Sequence, residues 1–165
     1  MNTAVVDTNV AIVANDKANH VSDEACINTC KEILIKIIGK KITVVLDDGH
    51  RILDEYIRNL SFSGQLGIGD EFLRWVHERQ ACTEYVEQVH ITSRNGDDFE
   101  EFPDTDDLKG FDPDDRKFVA VALASESNPT ILNATDTGWW SYRRSLAECG
   151  CKIIFLCPNL MRAAK

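Results

Sequence analysis

Apolar residues recur along this chain in two alternating rhythms. Short unbroken runs read as buried strands, and stretches with apolar positions every three or four residues read as helices. The first run, Thr3-Ala4-Val5-Val6, predicts a strand ending at Asp7-Thr8-Asn9. Cys26, Cys30, Ile33, Leu34, Ile37 and Ile38 then fall at helical spacing. Ser22 is the expected cap of that helix. Asp23 and Glu24 in its first turn suit the positive end of the dipole, and Gly39 supplies a stop. Residues 42–46 predict a second strand, with a helix starting at Asp47 or Asp48 and an apolar stripe of Ile52, Leu53, Tyr56, Ile57 and Leu60. Residues 61–69 read as a connector whose glycines lack the order of a phosphate-binding loop. Residues 70–79 predict a helix anchored by Phe72, Leu73, Trp75 and Val76, and residues 89–92 a short strand or extended stretch.

The second half repeats the alternation. Asp112-Pro113-Asp114-Asp115 is a helix start, because proline in the first turn forfeits no hydrogen bond. Phe118, Val119, Ala122 and Leu123 bury this helix, and Asn128-Pro129 ends it. Residues 130–134 predict a strand, 137–148 a helix and 151–156 a last strand. Strands alternating with helices imply right-handed crossovers and a three-layer α/β/α sandwich around a central, mostly parallel sheet. With 165 residues, one domain over 1–165 has room for a sizeable core.

Composition narrows the setting. No apolar run is long enough to span a bilayer, and the N-terminal strand meets an aspartate at once, unlike a secretion signal. A soluble, cytoplasmic chain without a membrane partner is expected. Its six cysteines form no C-x-x-C pair and read as small buried hydrophobes in a reducing compartment. The net charge of −9 argues against tight nucleic-acid binding through a basic surface. A nuclease remains compatible, since it needs acids for metals and only a few placed cations for phosphates. The acidic residues crowded into 97–112 read as a solvated loop.

The candidate chemistry lies in acids released at strand ends. Reactive groups of an open α/β sheet gather outside the carboxyl ends of its strands. Asp7 and Asp136 both arrive there. They repel each other unless a cation sits between them, and hard divalent cations prefer carboxylate oxygens. Asn9 is placed to orient Asp7 by hydrogen bonding. Glu55 lies at the border of its helix stripe, and its neighbour Asp54 points elsewhere. Asp115 shares the sheet-facing side of its helix with Phe118 and Ala122, from which Asp114 diverges.

At these residues the chain resembles the PIN-domain family of metal-dependent ribonucleases. Val5-Val6-Asp7-Thr8-Asn9 resembles the family's opening strand and first acid, and Leu53-Asp54-Glu55-Tyr56 the helix bearing the second. The segment from Asp115-Arg116-Lys117-Phe118 through Ala122 is similar to that carrying the third, and Leu132-Asn133-Ala134-Thr135-Asp136 to the strand ending at the fourth. Many relatives carry another acid two residues after the fourth; here Gly138 stands in that place. The resemblance implies a PIN-like sandwich holding Mg²⁺ or Mn²⁺ at Asp7, Glu55, Asp115 and Asp136. It implies hydrolysis of RNA phosphodiesters, with Arg116, Lys117, Arg143 and Arg144 as candidate phosphate contacts. Toxin or defence roles, an antitoxin-type protein partner and a homodimer are compatible with it. Two other readings stand beside it: a phosphatase with Asp7 as nucleophile, whose expected second acid is replaced by Asn9, and a non-catalytic RNA- or protein-binding module on the same scaffold.

Overall fold

The structure, a computed structural model, describes residues 1–17 and 23–163. The described residues form seven strands: β1 (Thr3–Val6), β2 (Thr43–Asp47), β3 (Val86–Val89), β4 (Ser93–Arg94), β5 (Asp98–Phe99), β6 (Thr130–Asn133) and β7 (Lys152–Phe155). They alternate with helices α1 (Thr8–Ala14), α2 (Glu24–Ile38), α3 (Arg51–Asn59), α4 (Ile68–Arg79), α5 (Arg116–Ala124), α6 (Thr137–Ser141), α7 (Arg143–Glu148) and α8 (Pro158–Ala163). Five strands form one all-parallel sheet in the order β3-β2-β1-β6-β7, and β4 and β5 form a small antiparallel ribbon. Helices α1, α2 and α4 pack on one another, while α5 lies across β1, β2 and β6. The result is a three-layer α/β/α sandwich. Among the described residues, no helix is long and apolar enough to cross a membrane.

The central strands explain the unbroken apolar runs. Ala4, Val5, Val6, Ile131 and Leu132 are wholly buried, as parallel strands covered on both faces must be. Strand order reverses at β1: β2 lies on one side and the late strand β6 on the other. The crevice at such a switch point is where open α/β sheets place their ligands. Here the register sets Val6 beside Leu132, so Asp7 and the loop carrying Asp136 leave the sheet side by side.

Several elements differ from the sequence expectation. Helix α1, not expected, begins at Thr8, directly after the first strand; its apolar run Val10-Ala11-Ile12-Val13-Ala14 lacks the polar positions that mark an amphipathic helix, because almost all of it is buried. Ser22 lies outside the described residues, and Asp23 caps α2 by accepting from the Cys26 amide at 2.8 Å. Helix α3 starts at Arg51 rather than at Asp47 or Asp48, after His50 in the left-handed region (φ 64°). Asp47 is instead the last residue of β2, and its carboxylate accepts from the amides of Arg51 and Ile52 at 3.0 and 2.9 Å. Ile57, expected in the apolar stripe, is exposed. The short strand or extended stretch expected at 89–92 is a full sheet strand lying three residues earlier, paired with β2. The helix expected over 137–148 breaks at Tyr142 into α6 and α7.

The acidic segment 97–112 is not simply a solvated loop. Phe99, Phe102, Leu108 and Phe111 are buried beneath its charges, and Phe102 stacks on Phe111. Asp98 pairs with both Arg94 and Arg116. The cysteine expectation is also corrected. Cys26 and Cys157, 131 residues apart, form a disulfide; Cys30, Cys82, Cys149 and Cys151 are free. Spacing could not foretell this pair, because the last parallel strand carries Cys157 to the start of α2.

Candidate functional site

Each acid is delivered by an element whose local chemistry fixes it. Asp7 follows β1 and caps α1, where its carboxylate Oδ1 accepts from the Asn9 amide at 3.2 Å. Oδ2 accepts from Asn133 Nδ2 at 3.0 Å. Asn133 Oδ1 in turn accepts from the Asp136 amide at 3.2 Å. One wholly buried carboxamide therefore aims the first acid and anchors the loop bearing the last. Asp136 caps α6 through the Gly138 amide at 2.9 Å. Asp115 ends a short 3₁₀ turn (Pro113–Asp115) ahead of α5. The cap of that turn is Asp112, which accepts from the Asp114 amide, so the Asp115 carboxylate makes no capping bond.

Carboxylate oxygens of Asp7, Asp115 and Asp136 all lie within 4.8 Å of one another. Three acids this close to one another and largely out of water resist ionising together. Burial first, and then the charges of Asp115, Asp136 and Glu55, push the Asp7 carboxyl well above its ordinary range despite the Asn9 hydrogen bond. Burial, then Asp136, Asp112 and Glu55, push Asp115 up to about 7, with Lys117 opposing. Mutual proton affinity of this kind is what a divalent cation relieves. The donor set is all oxygen, which suits Mg²⁺ or Mn²⁺ rather than a thiophilic ion.

Glu55 stands at the same cleft but is otherwise engaged. Its Oε1 pairs with Lys117 Nζ at 2.7 Å, and its Oε2 accepts from Thr8 Oγ1. Lys117 also donates to the Asp114 carbonyl and is largely buried. The structure thus brings Asp7, Asp115 and Asp136 into one cluster and sets Glu55 beside it, tied to an internal cation. Asp54 and Asp114 are exposed at the cleft wall.

Asn9 differs from its expected part. Its backbone amide, not its carboxamide, meets Asp7, and its side-chain oxygen accepts from the Ala134 amide at 2.9 Å. Asn133 has the orienting role. A polar residue ending an otherwise apolar strand was the only signal for it in the sequence.

The cluster opens into a cleft of about 670 Å³. Eight of its lining residues are acidic, and three, Arg51, Arg58 and Lys117, are basic. Of the four cations expected to face phosphate, only Lys117 lines the cleft. Arg116 turns away, because consecutive helical residues are rotated by about 100°. It reaches Asp98 at 3.2 Å and the Phe111 carbonyl and lies over Phe102. Arg143 stacks on Trp140 and donates to its carbonyl, and Arg144 is exposed elsewhere. Arg51, unforeseen, is held near the Asp47 carboxylate at 3.6 Å and over the Phe99 ring. Arg58 follows Glu55 by three residues on α3, one helical turn along the cleft wall. Comparison of the chain with protein-family models, with curated proteins and with solved structures finds no match.

Proposed function

We propose that this chain is a Mg²⁺- or Mn²⁺-dependent endoribonuclease of PIN-like design, acting in the cytoplasm. The observation that carries this reading is the meeting of Asp7, Asp115 and Asp136 within 4.8 Å at the switch point of a parallel sheet. A polyanionic substrate does not enter so acidic a cleft unaided. A bound cation at the base and the guanidinium groups at the wall answer that repulsion.

In this proposal Asp7 is the central ligand, because it is the most buried of the three and is aimed by two hydrogen bonds. Asp115 and Asp136 complete the site. When bound, the metal supplies a lowered pKa for water and neutralises charge on the reacting phosphate. The remaining work falls to the chain. Thr8 and Lys117 hold Glu55 at the edge of the cluster, where a carboxylate can orient water for attack on phosphorus. Arg51 and Arg58 offer the donors that fix phosphate oxygens. Asn133 keeps Asp7 aimed, as outer-layer partners of metal ligands do.

The test is Mn²⁺-dependent cleavage of single-stranded and structured RNA by the full chain. Asp7→Asn should abolish it while leaving the circular dichroism spectrum native. Asp115→Asn should cost at least 100-fold in rate and Asp114→Asn less than threefold. Undiminished cleavage by Asp7→Asn sinks the assignment. Release of phosphate from monoesters without RNA cleavage favours a phosphatase. Metal binding with no turnover on any RNA favours a non-catalytic module.

A further inference from the structure

A second group of potential ligands lies outside the acidic cleft. Cys26 and Cys30 sit four apart on α2 and therefore on one helix face. Cys157 immediately precedes α8. The three sulfur atoms lie within 4.8 Å of one another, and all three residues are buried. Among the described residues, the acidic cluster and this trio are the two groups of three or more ligating side chains at such range. The free cysteines Cys82, Cys149 and Cys151 belong to neither. A disulfide needs two sulfurs, so the bond between Cys26 and Cys157 leaves Cys30 beside it unused.

We propose that, once the Cys26–Cys157 bond is reduced, Cys26, Cys30 and Cys157 bind a thiophilic divalent cation of the Zn²⁺ class. Three thiolates at this range match the ligand preference of such ions, which are usually four-coordinate. A cavity of about 220 Å³ borders Cys26 and Cys157 and is also lined by Asp23, Thr29 and Asn159. It gives water or a side-chain oxygen access as the fourth donor. The site joins α2 to the C-terminal segment, as the disulfide does, so disulfide and metal are alternative clasps on the same two elements.

The interconversion balances. A phosphine reductant cleaves the Cys26 Sγ–Cys157 Sγ bond, both sulfurs gain a proton from water, and the phosphine leaves as its oxide. Each of the three thiols then releases a proton as the cation binds.

Co²⁺ is the probe, because thiolate ligation gives a charge-transfer absorption that carboxylates do not. The full chain, reduced anaerobically with a water-soluble phosphine, should take up one equivalent of Co²⁺ with that band, and Zn²⁺ should displace it. Cys30→Ser should weaken the Co²⁺ affinity at least tenfold, while the air-oxidised variant still forms the Cys26–Cys157 bond by non-reducing mass spectrometry. Cys157→Ser should weaken the affinity to a similar degree. A reduced wild-type protein without the band overturns the proposal. So does Cys30→Ser with unchanged band and affinity. Should Cys30→Ser fail to fold, an undiminished band in Cys157→Ser overturns it equally.

Discussion

At the scale of single residues, the site is built from acids whose proton affinity is set by crowding. Asp115 is pushed up to about 7 chiefly by burial, so protons and a divalent cation compete for it near neutrality. Apparent Mn²⁺ affinity should therefore fall as pH drops from 8 to 6, by roughly tenfold per unit once Asp115 is mostly protonated. Isothermal titration across that range checks it; a flat profile contradicts a proton-coupled site. Asn133 offers a sharper test of aim. Its Nδ2 holds Asp7 and its Oδ1 holds the Asp136 amide. Asn133→Asp swaps the donor facing Asp7 for another acceptor, and metal affinity should fall about 10- to 100-fold, the usual cost of losing such a partner. Asn133 was hard to read in the sequence, because an asparagine ending a strand is as easily a turn residue. The three acids were legible, since each follows an element boundary that sequence alone marks. Arg51 and Arg58 were not, because which face of α3 meets the cleft depends on how that helix docks. The Glu55–Lys117 pair was likewise hidden, as the two residues lie on different elements. That pair is itself testable. Lys117→Met removes the ammonium held by Glu55, and the freed carboxylate should raise Mn²⁺ stoichiometry from one toward two per chain. A ratio still at one in Lys117→Met, measured by titration, would mean that Glu55 lies out of reach of the ions.

At the scale of elements, the sheet was legible and the helix boundaries less so. Continuous apolar runs identify β1 and β6 because strands buried on both faces leave no polar alternation. The same logic concealed α1. Its residues are apolar for want of an exposed side, so periodicity could not set it apart from an extension of the first strand. Helix α1 is placed by a contact that no local pattern announces: its backbone meets α4 at Gly69. A Cβ there would stand 1.9 Å from the Ala11 carbonyl oxygen. Next to it, buried Asp70 accepts from the Ser61 and Gly67 amides, from Asn15 and from Lys17. Gly69→Ala must push the two helices apart, at a cost of about 1–3 kcal/mol for overpacking of this kind. In a chain of this size that lowers the melting temperature by roughly 2–10 °C. Because Asp7 caps α1, the same change should weaken Mn²⁺ binding although no ligand is altered. Thermal denaturation beside metal titration of the variant separates the two effects; an unchanged melting temperature would place α4 farther from α1 than the contact requires.

At the scale of the molecule, two sets of carboxyls pull stability in opposite directions with pH. Burial raises the affinity of Asp70 for protons, but Lys17, the two amides and Asn15 outweigh it and hold the carboxyl below its ordinary range. Asp98 is held low likewise against its own burial, by the Phe99 amide and by Arg94 and Arg116. Such depressed groups stabilise the fold above their unfolded pKa of about 3.9, and that support is lost as pH falls through their folded values. Asp7 and Asp115 behave inversely. Their folded values lie above the unfolded one, so the native state binds more protons than the unfolded chain. Stability is then lost as pH rises from about 4. For Asp115 the loss is complete once pH passes about 7. The metal-free chain should consequently be most stable in acid, near pH 4, with a melting temperature that declines toward pH 8. Asp115→Asn should remove part of that decline and raise the metal-free melting temperature at pH 8 by a few degrees, a gain of about 1–2 kcal/mol. A saturating divalent cation replaces the protons as the partner of the same oxygens, so millimolar Mn²⁺ should flatten the decline in the wild-type chain and leave Asp7→Asn almost unchanged. Differential scanning calorimetry from pH 4 to 8, with and without Mn²⁺, reads both effects at once. A metal-free profile that climbs steadily to pH 8 would show that the three carboxylates ionise independently, and a site of that kind would have no mutual repulsion for a cation to relieve.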